Sequence, residues 1–185
     1  HLSKQYKINI TVVDKQEINA FALPGGNIII YKSLLEKLRR PEELVALLSH
    51  ESIHINERHS LRNIFQEMSS SELLSIVFGR LGQVGQVIAG QANMLRSLSY
   101  SRGLEEDADE LGMQMMVENK IDPKGMVYLM ERLEEANNFQ ELPAFLSTHP
   151  VTASRKAVAL QFSTDHPFSG PVKEDIMTSW NDLRV

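Results

Sequence analysis

Two histidines and a glutamate are spaced along this chain so that a helix would place all three side chains on one side. His50, Glu51 and His54 form the pattern His-Glu-x-x-His, and Pro41 suits the first position of a helix that carries them. Because successive helical residues turn by roughly 100°, the two imidazoles reach one ion, with the carboxylate beside them. The pattern predicts half of a catalytic zinc site, with two ligands and one general base. The alternative is a chance match on an ordinary amphipathic helix.

A catalytic zinc needs a third protein ligand. One class of zinc peptidase takes it from a histidine six residues after the second histidine of the pattern, with a glycine between them. Glu57 and Ser60 hold those two places here, so that class is excluded. His59 is nearby, but on a continuous helix it would project roughly 180° away from His50. We therefore interpret His59 as a structural residue on the opposite face.

The acidic segment 101–112 supplies a better candidate for the third ligand. Its apolar residues recur at helical spacing, and Glu105 and Asp109 form a polar row beside them, which Gly112 continues without a side chain. We predict that Glu105 binds the metal and that Asp109 accepts a hydrogen bond from a ligand imidazole, which fixes its tautomer. The alternative is a solvated acidic face. Since the chain has no cysteine, histidine and carboxylate are the ligands to expect for one Zn²⁺ per chain.

Four separate stretches of this chain share the motifs of one known family. They are residues 19–26, the His-Glu helix ending in Arg58 and His59, residues 101–109, and Thr148-His149-Pro150 followed by Arg155. Their order and spacing resemble those of the CAAX prenyl protease type of zinc metallopeptidases, family M48, which belong to the gluzincins. The resemblance implies that His50, His54 and Glu105 bind zinc and that Glu51 is the catalytic base. We expect a soluble bacterial member of the family, since no run of about 20 apolar residues predicts a transmembrane helix.

The resemblance also implies roles for residues that spacing does not select. His149 would stabilise the oxyanion of the reaction or move onto the metal as a fourth ligand, and Arg155 would lie beside the site. From the residues alone, His149 is a loop histidine before a proline and Arg155 is a helix-surface charge. In relatives an edge strand lines the cleft and pairs with the substrate backbone. We therefore assign substrate binding to four consecutive residues: Gly25, Gly26, Asn27 and Ile28.

The elements expected along the chain predict an α+β fold. Residues 6–13 alternate apolar with polar residues, turns follow near residues 14–15 and 24–26, and residues 27–31 form an apolar strand. Helices are expected after Pro123 and after Pro150, and the tail from residue 165 is uninformative. We predict a zincin-like single domain over residues 1–185, with a small antiparallel β-meander packed on a mainly helical domain.

The predicted function is that of a zinc-dependent metalloendopeptidase, acting on protein or peptide substrates in protein quality control. The alternative is a zinc-containing chaperone or assembly module for envelope proteins with weak or latent proteolysis. A net charge of −5 disfavours nucleic acid as a partner. By family analogy, misfolded envelope proteins are the expected substrates and the periplasm or cell envelope the expected location.

The segment from Phe65 to Leu98 is apolar and longer than a connection between helices needs. Charged and amide residues interrupt it, so it holds no run of about 20 apolar residues that would predict a transmembrane helix. We favour a pair of core-packing helices. A lid over the cleft or a hairpin in peripheral contact with a membrane is the alternative.

Overall fold

The computed structural model describes residues 7–67, 99–138 and 144–183. These residues combine a small sheet with a larger set of helices, which confirms the predicted α+β class. The strands are β1 (Asn9–Val13), β2 (Ala20–Leu23) and β3 (Asn27–Tyr31). The helices are α1 (Lys32–Lys37), α2 (Pro41–Asn56), α3 (His59–Glu67), α4 (Arg102–Glu118), α5 (Lys124–Asn138), α6 (Ala144–Thr148), α7 (Ala153–Asp165) and α8 (Glu174–Asp182).

The order of the strands is β1-β3-β2, so the predicted antiparallel meander is wrong. Strands β2 and β3 form an antiparallel hairpin around Gly25 and Gly26, whose φ angles of 90° and 93° favour glycine. Strand β1 pairs in parallel with the other side of β3. The most apolar strand, β3, takes the central position, where Ile28 and Ile30 are buried, while Ile10 and Val12 of β1 remain more than 40% exposed.

Helix α2 begins at Pro41, as the sequence predicts, but ends sooner than expected. Arg58 has a φ of 56°, and this left-handed residue turns the chain so that α3 starts at His59. The continuous helix that was assumed in placing His59 is therefore wrong. Because the helix is interrupted, the side chain of His59 does not lie on the face that a straight helix would give it.

Helix α2 lies in the middle of the domain, between α4 and α5. Gly125 of α5 allows a close approach, since a Cβ atom there would lie 2.4 Å from the carbonyl oxygen of Glu42. The apolar core extends from this contact to the buried face of the sheet and to Phe145 of α6. Both halves of α2 therefore pack against the apolar core, and one side of the second half of α2 contacts α4.

The last part of the chain is more ordered than its sequence indicates. Thr152 caps α7 by accepting a hydrogen bond from the backbone N–H of Arg155, and α8 buries Trp180. Within the described residues, no helix combines the length and apolar character needed to cross a membrane. The helices predicted within residues 65–98 lie, from residue 68 onward, outside the described residues.

Candidate metal centre

The second half of α2 buries the three residues of the His-Glu-x-x-His pattern. His50, Glu51 and His54 are each at most 2% exposed. The Nε2 atoms of the two imidazoles lie 3.0 Å apart, so both point at the same small volume. The predicted convergence of two ring nitrogens beside a carboxylate is thus what the helix provides.

Helix α4 brings Glu105 to this pair. Its Oε1 atom lies 3.4 Å from Nε2 of His54, and its Oε2 atom lies 3.7 Å from Nε2 of His50. The approach depends on Gly112, where a Cβ atom would lie 3.3 Å from the backbone nitrogen of His50. The expectation that a missing side chain permits close packing of the two helices therefore agrees with the structure.

His149, at the end of α6, completes a cluster of four. Its Nδ1 atom lies 3.2 Å from Nε2 of His50 and 2.8 Å from Oε1 of Glu105. Its Nε2 atom faces Glu51, 3.6 Å from Oε1. The ring stacks on Phe145, with centroids 4.4 Å apart. His149 therefore lies between the carboxylate of Glu51 and the other three residues.

The four residues fit a zinc ion in both chemistry and spacing. Each of them offers one ligand atom, and these atoms lie within 4.8 Å of one another. Bonds of about 2.0–2.1 Å to a tetrahedral zinc would separate its ligand atoms by about 3.3 Å. The distances from Glu105 to its two neighbours, 2.8 Å to Nδ1 of His149 and 3.7 Å to Nε2 of His50, lie on either side of that value. Imidazole nitrogen and carboxylate oxygen are also ligands that zinc prefers.

Asp109 and Arg155 support the cluster from the side of α4. Asp109 lies one turn after Glu105, and its Oδ1 atom is 3.0 Å from Nδ1 of His50. The guanidinium of Arg155 donates to both oxygens of Asp109, at 2.6 and 2.8 Å, and also pairs with Glu105 at 2.6 Å. One buried cation thus holds both carboxylates, and Asp109 accepts the remaining ring hydrogen of His50.

The charges of the cluster move the pKa values of its members in opposite directions. Burial alone would raise the pKa of Glu105, but its contacts with His149 and His54 bring it far below its usual range. Burial would lower the pKa of His149, but Glu105 and Glu51 raise it. Burial keeps the pKa of His54 well below its usual range. The cluster therefore favours a charged Glu105 and a neutral His54.

Glu51 differs from the other carboxylates at the site. Neither of its oxygens has a hydrogen-bond partner among the described residues. Burial raises the pKa of Glu51, and the nearby rings of His149 and His50 reduce the shift without cancelling it. A buried carboxyl with a raised pKa is suited to accept and return a proton.

Two contacts of His54 were not found from the sequence. Its Nδ1 atom lies 3.0 Å from Nδ1 of the buried His59, which corrects the assignment of His59 to the opposite face. Burial, together with the charge of Arg62, lowers the pKa of His59 to about 4. The ring of Tyr100 stacks on His54, with centroids 4.0 Å apart, and its hydroxyl contacts Ser60. No motif marks Tyr100, which precedes α4 in an irregular segment.

The predicted substrate-binding residues fall into two groups. Gly25 lies in the β2–β3 turn and lines a small cavity together with His54, and Gly26 is its neighbour in that turn. Asn27 and Ile28 belong to β3, which is paired on both sides, and Ile28 is fully buried. The backbone edge of β3 is therefore not free. The strand next to the site is β2, since the backbone of Ala22 is close enough to Glu51 to lower the pKa of that carboxyl against the effect of burial.

Known proteins are similar in sequence to this chain over most of its length. It is 29% identical over 161 residues to the beta-barrel assembly-enhancing protease of Escherichia coli K12, covering 80% of this chain and 33% of that protein. It is 31% identical over 150 residues to the mitochondrial metalloendopeptidase OMA1 of Schizosaccharomyces pombe, covering 80% of this chain and 44% of that protein. The chain thus spans well under half the length of these relatives. A family model described as Peptidase family M48 matches residues 1–161, and the chain belongs to that family.

Proposed function

We propose that this chain is a zinc-dependent metalloendopeptidase domain, with residues 1–185 forming a single catalytic unit. His50, His54 and Glu105 would hold one zinc ion. The observation that carries the proposal is the convergence of these three donors beside the buried carboxylate of Glu51, which has no hydrogen-bond partner among the described residues. Family membership supports the class of reaction, which is hydrolysis of peptide bonds in protein or peptide substrates.

Each residue has a separate task in this proposal. A zinc ion bound at the site would supply Lewis-acid polarisation and make water more acidic. Glu51 accepts the proton of the attacking water and passes it to the leaving amine. Its raised pKa makes Glu51 a stronger base than an ordinary carboxylate, and the protonated carboxyl then holds the proton until the more basic leaving amine takes it. Asp109 and Arg155 orient His50 and Glu105.

We propose that the conformation described here is a resting one, in which His149 closes the site. Its Nδ1 atom lies within the donor set, at the place where a catalytic site keeps an open position. Rotation of the His149 ring away from His50 and Glu105 would open that position. From there the same ring could donate a hydrogen bond to the oxyanion of the reaction.

For substrate binding we propose the edge of β2 that pairs with no strand among the described residues, together with the adjoining turn. Gly25 and Gly26 would allow an extended peptide to approach closely, and Asn27 and Ile28 would fix the hairpin behind them. The position of Ala22 beside Glu51 supports this assignment, because a strand added to β2 would pass the catalytic carboxylate. Recognition through backbone hydrogen bonds would give broad specificity.

The biological role is proposed from the relatives' names. A beta-barrel assembly-enhancing protease acts in assembly of barrel proteins, as its name states, and we propose quality control of misfolded envelope proteins in the periplasm or cell envelope for this chain. A closer relation to the CAAX prenyl protease type and a peripheral contact with the membrane are further parts of the proposal. The relation to that type rests on the resemblance of the sequence motifs, and the membrane contact rests on the apolar segment from Phe65 to Leu98.

The experiment compares the wild-type protein with Glu51→Gln and Glu105→Gln. We expect the wild type to contain about one zinc per chain by elemental analysis and to cleave casein. Glu51→Gln should retain the zinc and lose activity by roughly 10²–10⁴-fold, the usual contribution of a general base. Glu105→Gln should lose much of its zinc in addition to its activity. Full activity in Glu51→Gln would overturn its role as the base.

The chaperone or assembly module is separated from the enzyme by the same variants. A misfolded β-barrel protein that wild type and Glu51→Gln bind equally well, with no cleavage products in either case, would favour the module. Products that form with the wild type and disappear with Glu51→Gln would favour the enzyme.

A further inference from the structure

His59 contacts the metal-binding pair from outside the donor set. It is fully buried, and its Nδ1 atom lies 3.0 Å from Nδ1 of His54. The other nitrogen of His54, Nε2, faces the opposite way, 3.0 Å from Nε2 of His50 and 3.4 Å from Oε1 of Glu105. His54 thus has one nitrogen in the donor set and the other on His59.

The direction of the hydrogen bond follows from the count of protons. A neutral imidazole carries one N–H, and the nitrogen that binds a metal must present its lone pair. With Nε2 of His54 in the donor set, its proton is on Nδ1, and Nδ1 donates to His59. The Nδ1 atom of His59 must then be the acceptor, and His59 carries its own proton on Nε2.

We propose that His59 is a positioning residue for zinc binding. By accepting the Nδ1–H of His54, it selects the tautomer whose Nε2 is free to bind and fixes the rotation of the ring. Partners of this kind on metal-bound histidines are typically worth 10–100-fold in metal affinity. The inference rests on the proposed zinc site and adds a residue that the His-Glu-x-x-His pattern does not contain.

The two metal-binding histidines are then held by different acceptors. Asp109, a carboxylate, accepts from His50 and is itself tied to Arg155. Among the residues that the structure describes, no carboxylate bonds to Nδ1 of His54, and its partner is the imidazole of His59. Both arrangements leave Nε2 for the metal. The acceptor for His50 is charged, whereas the acceptor for His54 is neutral.

Two local features place His59 for this task. The left-handed conformation of Arg58 turns the chain after α2, and His59 becomes the first residue of α3 instead of projecting from the far side of α2. The ring of Tyr100 stacks on His54 at an interplanar angle of 20°, which restricts tilting of the ring. Stacking does not choose between the two tautomers, so that choice is left to the hydrogen bond that His54 donates to His59.

Two substitutions of His59 separate hydrogen bonding from packing. Leucine fills much of the same space but cannot accept a hydrogen bond, whereas the side-chain oxygen of asparagine can take the place of Nδ1. The control is Asn63→Ala, because Asn63 is also buried in α3 and donates to the carbonyl of Ser99 without touching a metal-binding residue. All variants are compared in the same chain, 1–185.

The measurements are the zinc dissociation constant, by competition with a chromophoric chelator, and the visible absorption of the cobalt-substituted protein. For His59→Leu we expect zinc affinity to fall by about 10–100-fold and the cobalt bands to shift. For His59→Asn and Asn63→Ala we expect zinc affinity within about threefold of the wild type, well below the effect of losing such a partner. Urea unfolding of the metal-free variants reports packing separately.

Each outcome decides the inference. Weak zinc binding in His59→Leu with recovery in His59→Asn supports it. Wild-type affinity in His59→Leu overturns it, and so does an equal loss in both variants, which would indicate that packing alone matters. A wild-type protein that binds no zinc would instead refute the proposed function, whereas a zinc-binding, active wild type with an unaffected His59→Leu variant would refute only the role of His59.

Discussion

The first half of α2 lies against α5, and its second half lies against α4. The first half buries Leu44 and Leu47 in the apolar core, and its buried carboxylate, Glu43, is satisfied by the backbone N–H of Arg39 and by Arg132. The second half buries three polar residues of the candidate site, His50, Glu51 and His54.

The two halves therefore lose and gain stability in different ways. Apolar burial stabilises the first half in proportion to the area removed from water. Burial of charged and polar groups in the second half is costly unless each has a partner. Glu51 has no hydrogen-bond partner among the described residues, and Nε2 of His149 lies 3.6 Å from its Oε1 atom. One helix therefore combines a half that stabilises the fold with a half whose buried polar groups form the candidate site. Substitutions in the two halves should consequently behave differently.

The largest effect is expected where the charges of the second half compensate one another. Replacing Arg155 by leucine leaves Asp109 and Glu105 buried without their shared cation. Breaking a buried ion pair in this way usually costs about 3–5 kcal/mol. Urea unfolding of the metal-free protein measures the loss. A change below about 1 kcal/mol would mean that the carboxylates find other partners and that the second half does not depend on Arg155.

The first half should lose stability without losing zinc. Leu44→Ala removes a side chain that is 7% exposed and belongs to the core, which should cost about 2–3 kcal/mol, at the lower end of such substitutions. The matched control is Leu160→Ala in α7, where the leucine is 51% exposed and the change should stay within about 0.5 kcal/mol. Unchanged zinc affinity in Leu44→Ala would sharpen the comparison. A large loss of affinity would show that the two halves are coupled.

The two buried glutamates of α2 should respond oppositely to the same substitution. Glu51→Gln removes a charge that burial disfavours, so the metal-free protein should become about 1 kcal/mol more stable or stay unchanged. Glu43→Gln weakens hydrogen bonds to a carboxylate that has partners, which should cost about 1–2 kcal/mol. Unfolding in urea at neutral pH compares the two variants. Equal losses in both would remove the distinction between the two halves.

The sequence predicts the chemistry of the second half better than its surroundings. His50, Glu51 and His54 are neighbours along one helix, so their geometry follows from helical periodicity, and Glu105 follows from the need for a third ligand. The sequence does not predict the position of the His59 side chain, because Arg58, which is not a glycine, adopts a left-handed conformation that no local sequence pattern indicates. Tertiary packing alone decides such a turn.

The sheet shows the same limit at a larger scale. Alternation predicts a strand within residues 6–13, and the apolar run 27–31 predicts another, but neither pattern specifies which strands are neighbours. Strand β3 is central because it is the most buried strand. Since β2 occupies one edge of β3 in the hairpin, β1 pairs with the opposite edge, in parallel. For this reason the fold class was predictable, whereas the strand order and the burial of Ile28 were not.

The smallest effect is expected where α2 and α4 touch. Gly112→Ala would place a Cβ atom 3.3 Å from the backbone nitrogen of His50, so the helices must separate by a few tenths of an ångström, while Gly103→Ala in the same helix meets nothing within 4 Å. Alanine favours both helical positions by up to about 1 kcal/mol, which offsets part of the strain at Gly112. Since Glu105 and Asp109 would move away from His50 together, we expect zinc affinity in Gly112→Ala to fall about fivefold, or about 1 kcal/mol, with Gly103→Ala unchanged. Chelator competition measures both variants. Wild-type affinity in Gly112→Ala would show that the metal-binding residues can adjust independently of the spacing between the helices, and the second half of α2 would then be less rigidly defined than the first.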